Sequence, residues 1–231
     1  MRTFFSKDTR DRIDIHCHIL PEIDDGSHSL EESIDMLKAA QENGITDIVA
    51  TPHVRERDFD FEYARERYNE LKPYAEELGM GLHLGFEVNC EALVEFEFKN
   101  LDKMCIQNSD SFLLEFRNFS MPPNWQLIIK KLQAEGLQVI IAHPERYDFI
   151  QRDINIAEGL ADMGCRLQCD SFVFDLNRFD RQRKAAYKLM DRQLVSWIGS
   201  DSHAPAHFDG YKEVFEDFEQ DMIRSSIDFD Y

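Results

Sequence analysis

The chain has 231 residues, 43% hydrophobic and 31% charged, and its 45 Asp and Glu against 26 Lys and Arg leave a formal net charge of -19. With 18 Phe, 7 Tyr and 2 Trp it carries far more apolar area than a disordered acidic segment, so one globular domain over residues 1–231 is expected. No stretch reaches the roughly 20 apolar residues of a membrane span, the opening MRTFFSKDTRDR lacks an apolar signal core, and so acidic a field repels a nucleic-acid backbone; a cytoplasmic protein with no nucleic-acid partner is expected.

Residues 1–11 read as an N-terminal extension, and the first apolar run is RIDIH (12–16). A helix follows, in which Ser29 and Glu32 make a capping box ahead of Leu30, Ile34 and Leu37, with Gly44 at the C-terminal cap. TDIVA (46–50) is the second run, and a helix kinked near Pro73 is predicted over 59–78. LHLGFE (82–87) and SFLLEF (111–116) come next, then a helix opened by Pro122 and Pro123, with Trp125, Ile128, Ile129 and Leu132 on one face and Gly136 closing it. QVIIA (138–142), RLQCD (166–170) and LVSWIG (194–199) complete the series, and 208–231, with eight acids and two bases, reads as a surface helix with a short acidic tail at 225–231. Strand-length apolar runs alternating with helices predict parallel strands and crossover helices, and seven such units predict a closed or nearly closed α/β barrel.

Such barrels carry their active sites at the carboxyl ends of the strands. There the sequence places His16 and His18, with Asp24 and Asp25 in the next loop, then His53, Glu87, Glu115, His143, and Asp201 with His203. Six of the seven strands thus deliver a histidine or carboxylate to one rim. In an extended chain alternate residues share a face, so His16 pairs with His18 and Asp201 with His203. Imidazoles with shared carboxylates suit zinc, manganese or iron, and a bridging glutamate can hold two ions. The same alternation puts Asp14 on the face of His16, in a supporting or structural place, and His83 below Glu87 as a hydrogen-bonded interior histidine. His28 and His207 are expected to be exposed. Several aromatics near the rim, among them Phe59, Phe61, Phe116, Phe119, Tyr147, Phe172 and Phe174, either wall a pocket or join the core. The five cysteines show no CxxC spacing, and none has an arginine six positions on, which excludes a thiolate phosphatase loop.

These residues resemble the PHP metallophosphoesterases, and most closely the CpsB/YwqE-like branch. The resemblance is carried by DIHCHILPEIDDG (14–26), ATPH (50–53), GFEV (85–88), LLEF (113–116), IAHPERY (141–147) and GSDSH (199–203). It implies a distorted (β/α)7 barrel of the PHP type, similar to a TIM barrel, holding two to three divalent ions, manganese first and iron or zinc as alternatives. The implied metal ligands are His16, His18, Asp25, His53, Glu87, Glu115, His143, Asp201 and His203, with Glu87 bridging and Asp25 preferred over Asp24 by the DDG triplet. Arg146 matches the branch's phosphate-binding arginine. The resemblance implies a manganese-dependent protein-tyrosine phosphatase of capsular or exopolysaccharide biosynthesis, in which a metal-bridging hydroxide attacks phosphorus. Its partner would be a phosphotyrosine protein, with a tyrosine kinase of polysaccharide export as a candidate, or a small phosphomonoester; an oligomer is compatible with the sequence. Two alternatives remain, a small-molecule phosphatase acting on a substrate similar to histidinol phosphate, and a non-catalytic metal-binding module. One departure stands out: Phe208 occupies the position of the branch's second arginine, which puts phosphotyrosine specificity in question and predicts that Phe208→Arg improves phosphopeptide turnover.

Overall fold

A computed structural model describes residues 12–218, so the expected extension at 1–11 and tail at 225–231 lie outside the described residues. The strands are β1 (Ile13–Cys17), β2 (Asp47–Ala50), β3 (His53–Val54), β4 (Gly81–Leu84), β5 (Glu87–Asn89), β6 (Ser111–Glu115), β7 (Gln138–Ala142), β8 (Arg166–Asp170) and β9 (Val195–Gly199). The helices are α1 (Leu30–Glu42), α2 (Phe61–Glu77), α3 (Cys90–Glu95), α4 (Leu101–Met104), α5 (Trp125–Ala134), α6 (Asp148–Arg152), α7 (Asn155–Asp162), α8 (Arg181–Asp191) and α9 (Tyr211–Phe218). All strand pairs are parallel, as crossover connections require.

The strands form two sheets, one of three strands in the order β1-β2-β4 and one of six in the order β3-β5-β6-β7-β8-β9. The division has a local cause. Thr51-Pro52 separates β2 from β3, and Pro52 has no N–H to give to a ladder; Gly85-Phe86 separates β4 from β5. Backbone bonds still cross both interruptions, with Gly85 N–H donating to Ala50 O (2.8 Å) and Glu87 N–H to Pro52 O (3.2 Å). Beyond β9, Asp201 N–H donates to His16 O (2.8 Å) and His18 N–H to Ser202 O (2.9 Å), tying the far strand to the first.

Each strand has an apolar face against the helices, and these residues join one large core running from Cys17 to Val214. The opposite face carries a small separate cluster of Ile15, Val49, Ile106, Leu113, Ile140 and Ala142. A bulge in β1 connects the two arrangements. Asp14 is level with Ile48 and Cys17 with Ala50, so two residues of β1, Ile15 and His16, oppose Val49 alone. Ile15 therefore fills the small cluster while His16 reaches the site above it. Asp14 consequently shares the side of Ile48 rather than of His16, against expectation, and its carboxylate accepts from Ser200 N–H (2.9 Å) and Ser200 Oγ (2.5 Å).

The helices depart from expectation mainly at their starts. Ser29 Oγ caps α1 by accepting from Glu32 N–H, but the Glu32 carboxylate answers to His28 N–H instead of that of Ser29. Asp60 accepts from Glu62 and Tyr63 N–H, so α2 begins at Phe61 and not at 59. The prolines at 122 and 123 precede α5 without joining it, because Asn124 takes a left-handed φ of 65° before the first turn. No helix among the described residues is long and apolar enough to cross a membrane.

Candidate metal centre

The nine residues named above all come together at the carboxyl ends of the strands. They fall into four overlapping groups whose potential ligand atoms lie within 4.8 Å of one another: His18, Asp25, His53 and His203; His16, His143 and Asp201; His16, His18 and Glu87; and His53, Glu87 and Glu115. Glu87 is central, with Oε2 2.7 Å from His53 Nδ1 and 3.4 Å from both His16 and His18 Nε2, and Oε1 2.6 Å from His143 Nε2. Two of the nine stand on left-handed backbone, His143 (φ 32°) after β7 and Asp201 (φ 47°) after β9. Such conformations cost a non-glycine residue on the order of 1 kcal/mol or more and persist where the surroundings enforce them.

Neighbouring groups aim the histidines. Gln168 Nε2 donates to Asp170 Oδ1 (2.9 Å), which leaves Gln168 Oε1 to accept from His16 Nδ1 (2.9 Å). His18 Nδ1 donates to Asp24 Oδ2 (2.7 Å). With Nδ1 so engaged, both rings turn Nε2, 3.2 Å apart, to the same space, where the neutral form of each offers a lone pair to a cation. His203 Nδ1 donates to Asp201 O (2.8 Å), and burial and the nearby His18 hold its pKa below the usual histidine value. Asp24 and Asp25, which spacing could not separate, have different surroundings. Asp24 braces His18 and accepts from the backbone N–H of Gly26 and His53. Asp25 turns outward to within 3.3 Å of His53 Nε2 and 3.7 Å of His203 Nε2.

The donor set fits divalent cations. Among the described residues Glu87 Oε2, Asp201 Oδ1, His53 Nδ1 and His143 Nδ1 are buried and make no hydrogen bond of good geometry, even where Glu87 Oε2 and His53 Nδ1 approach each other, an arrangement that a folded protein rarely leaves uncompensated. Burial works against the charge on Glu87, yet His16, His53 and the bond from His143 hold its carboxyl well below the usual range. Burial likewise opposes a charge on His16, but Asp201 and Glu87 raise its pKa to about 9. The pocket therefore draws positive charge, and its nitrogen and oxygen donors are those of zinc, manganese or iron sites.

Arg146, in the turn after His143, lies against Asp201 and 2.5 Å from Asp170 Oδ2, with its Cζ 5.1 Å from the Phe172 ring centroid. Beneath it Glu145 accepts from Asp170 N–H, and burial with the charge of Asp170 pushes its carboxyl up to about 8. The sixth of the seven runs, β8, to which no ligand was assigned, is thus not empty: it supplies Gln168 and Asp170, two residues apart on one face. The alternation that found His16 and His18 would have found this pair had RLQCD been read for hydrogen-bonding as well as ligating groups.

The CpsB/CapC family of capsular polysaccharide synthesis matches residues 12–214. The chain belongs to that family. It is 34% identical over 198 residues to the putative tyrosine-protein phosphatase CapC of Staphylococcus aureus, covering 83% of this chain and 77% of that protein. With the tyrosine-protein phosphatase YwqE of Bacillus subtilis it shares 32% identity over 196 residues, 83% of this chain and 77% of the relative. A solved structure reported for YwqE of B. subtilis and CpsB of Streptococcus pneumoniae, described as unique metal-dependent tyrosine phosphatases, aligns with TM-score 0.79 at 24% identity over 93% of this chain and 96% of that one, and shows a shared fold.

Within this CpsB/CapC chain, Phe208 is fully buried in the main core and contributes nothing to the rim. Phe116, Tyr147 and Phe174 are core residues too, and Tyr147 Oη accepts from Phe116 N–H. Phe119 and Phe172 are exposed. His83, buried below Glu87, contacts Asp47 at 3.3 Å, and His28 and His207 are exposed. A cavity of about 410 Å³ adjoins Arg146, walled by Asn118, Phe119, Phe179 and Arg181. Cys17 and Cys169 are fully buried with thiols pushed well above the usual value by burial, and no cysteine belongs to the four groups.

Proposed function

We propose that this CpsB/CapC-family chain is a cytoplasmic, metal-dependent protein-tyrosine phosphatase of capsular or exopolysaccharide synthesis. The reading rests on one observation, the convergence of nine histidine and carboxylate side chains beside a guanidinium. His16, His18, Asp25, His53, Glu87, Glu115, His143, Asp201 and His203 would hold two to three divalent ions, manganese foremost. Bound there, such ions neutralise the charge of a phosphoryl group and make water acidic enough to ionise near neutral pH. The strand order, with the segment just after β9 bonded back to the end of β1, supports a distorted (β/α)7 barrel of the PHP type, and the single large core from Cys17 to Val214 supports one domain.

The chain's own groups supply positioning. Asp170, Asp201 and Phe172 fix Arg146 at the rim, where it can orient a phosphoryl oxygen. Asp24 and Gln168 keep the Nδ1 protons of His18 and His16 turned away from the reacting space. A phenolate leaving group, with a pKa of about 10, departs without the strong general acid that an alkoxide needs. Phe119 (82% exposed) and Phe179 (69% exposed) leave the mouth beside Arg146 open, which favours phosphotyrosine on a protein over an enclosed small molecule.

The purified protein should contain at least two divalent ions by elemental analysis. With manganese it should hydrolyse p-nitrophenyl phosphate and phosphotyrosine peptides in preference to histidinol phosphate. Fewer than two ions and no turnover of any phosphoester would sink the phosphatase reading, and a strong preference for histidinol phosphate would sink the substrate assignment.

A further inference from the structure

The four ligand groups overlap through shared members, and two guanidinia stand against different members of them. Arg146 lies against Asp201. Arg55 lies against His53 and Asp25, with its Nη2 2.7 Å from His53 Nε2 and its Nη1 3.7 Å from Asp25 Oδ2. Among the described residues these two are the arginines paired with members of the four groups. Strand alternation explains how Arg55 arrives there. Val54 points into the core, so His53 and Arg55, two residues apart, share the opposite side.

Arg55 is not an ordinary surface cation. Exposed ion pairs hold long side chains weakly, typically by about 0–1 kcal/mol, and a carboxylate is their usual partner; here the nearest contact is an imidazole nitrogen at the mouth of the site. The Arg55 side chain is 51% exposed, open to the solvent at that mouth. His53 Nε2 has a single lone pair, which serves either Arg55 or a cation. When the lone pair is given to a cation, the guanidinium keeps Asp25 as its ion-pair partner and has donors free for an anion at the mouth. A phosphate monoester dianion has three non-bridging oxygens, more than one guanidinium fork can hold, and a second fork would fix its orientation.

Resting on the phosphatase reading, we propose that Arg55 is a second phosphate-binding residue, holding the phosphoryl group beside His53 and Asp25 as Arg146 would beside Asp201. The test uses the manganese-loaded full chain and its Arg55→Ala and Arg55→Lys variants, with three measurements: metal content by elemental analysis, affinity for inorganic phosphate by calorimetry, and kcat and KM for p-nitrophenyl phosphate. The expected result is unchanged metal content, with phosphate affinity weakened and KM raised by about tenfold in Arg55→Ala, equivalent to about 1.4 kcal/mol, and part of the loss restored by lysine. Unchanged phosphate affinity with metal retained would overturn the proposal. Loss of metal with phosphate affinity preserved per loaded site would overturn it too, leaving Arg55 a partner of Asp25 alone. Phosphate binding is read without turnover, so a wild-type protein that hydrolyses nothing would refute the phosphatase reading while Arg55 is still decided by calorimetry.

Discussion

Gln168 shows how one uncharged side chain governs a charged site. Its amide has a donor committed to Asp170 and an acceptor committed to His16, so it can be satisfied in only one orientation, and that orientation leaves His16 Nε2 facing Glu87 and Asp201. Gln168→Leu keeps much of the volume but releases the His16 ring; manganese affinity, measured by competition with a chelator, should fall by about 10–100-fold, with the fold intact by circular dichroism. Phe208 gives the opposite lesson. A guanidinium at a fully buried core position would have no partner, so Phe208→Arg should destabilise the protein by about 3–5 kcal/mol. Urea unfolding would show the loss, where the sequence alone had suggested improved phosphopeptide turnover.

Among the elements, the segment between β1 and α1 is closely constrained. Ser27 N–H donates to His18 O and Glu22 N–H to Ser27 O, folding the loop back so that Asp24 and Asp25 stand beside the strand they follow. Gly26 allows that return: a Cβ there would lie 2.1 Å from the backbone oxygen of His18 and 2.6 Å from its Cβ. Neither atom can move without moving a residue of the site. Gly26→Ala should therefore displace both aspartates and lower metal content and activity together, while preserving helix content; full metal occupancy in this variant would contradict the account. The β1 bulge acts at the same scale, since one extra residue lets Ile15 plug the floor and His16 reach the centre within consecutive positions. Its pattern, IDIHCH, reads as plain alternation, so the reversal of Asp14 was invisible to a period-two rule.

For the molecule as a whole, the charge of -19 divides into buried and displayed parts. Glu87 and Asp201 are buried at the centre beside Glu115 and Asp25, where bound cations would offset them, whereas most of the remaining acids among the described residues are at least partly exposed. Removing the ions should lower the melting temperature and abolish phosphatase activity. Returning manganese at about 100 times its dissociation constant contributes about 2.7 kcal/mol, or roughly 5–10 °C for a chain of this size. Differential scanning calorimetry with and without a chelator would measure it, and an unchanged midpoint would mean that the centre does not bind ions in preference to the unfolded chain.

The sequence by itself determined that parallel strands alternate with helices, and it placed histidines and carboxylates at the strand ends, because strand periodicity and side-chain chemistry are local properties. It also excluded thiolate chemistry, since that needs a fixed spacing the cysteines lack. Only the tertiary structure decided which groups meet. It set Asp24 to brace His18 and Asp25 to face His53, brought Gln168 from β8 against His16 across 152 positions, and put guanidinia from residues 55 and 146 against members of the same set of groups. These partnerships depend on a bulge, two strand interruptions and two left-handed residues, each of which redirects side chains by an amount that local propensity does not encode.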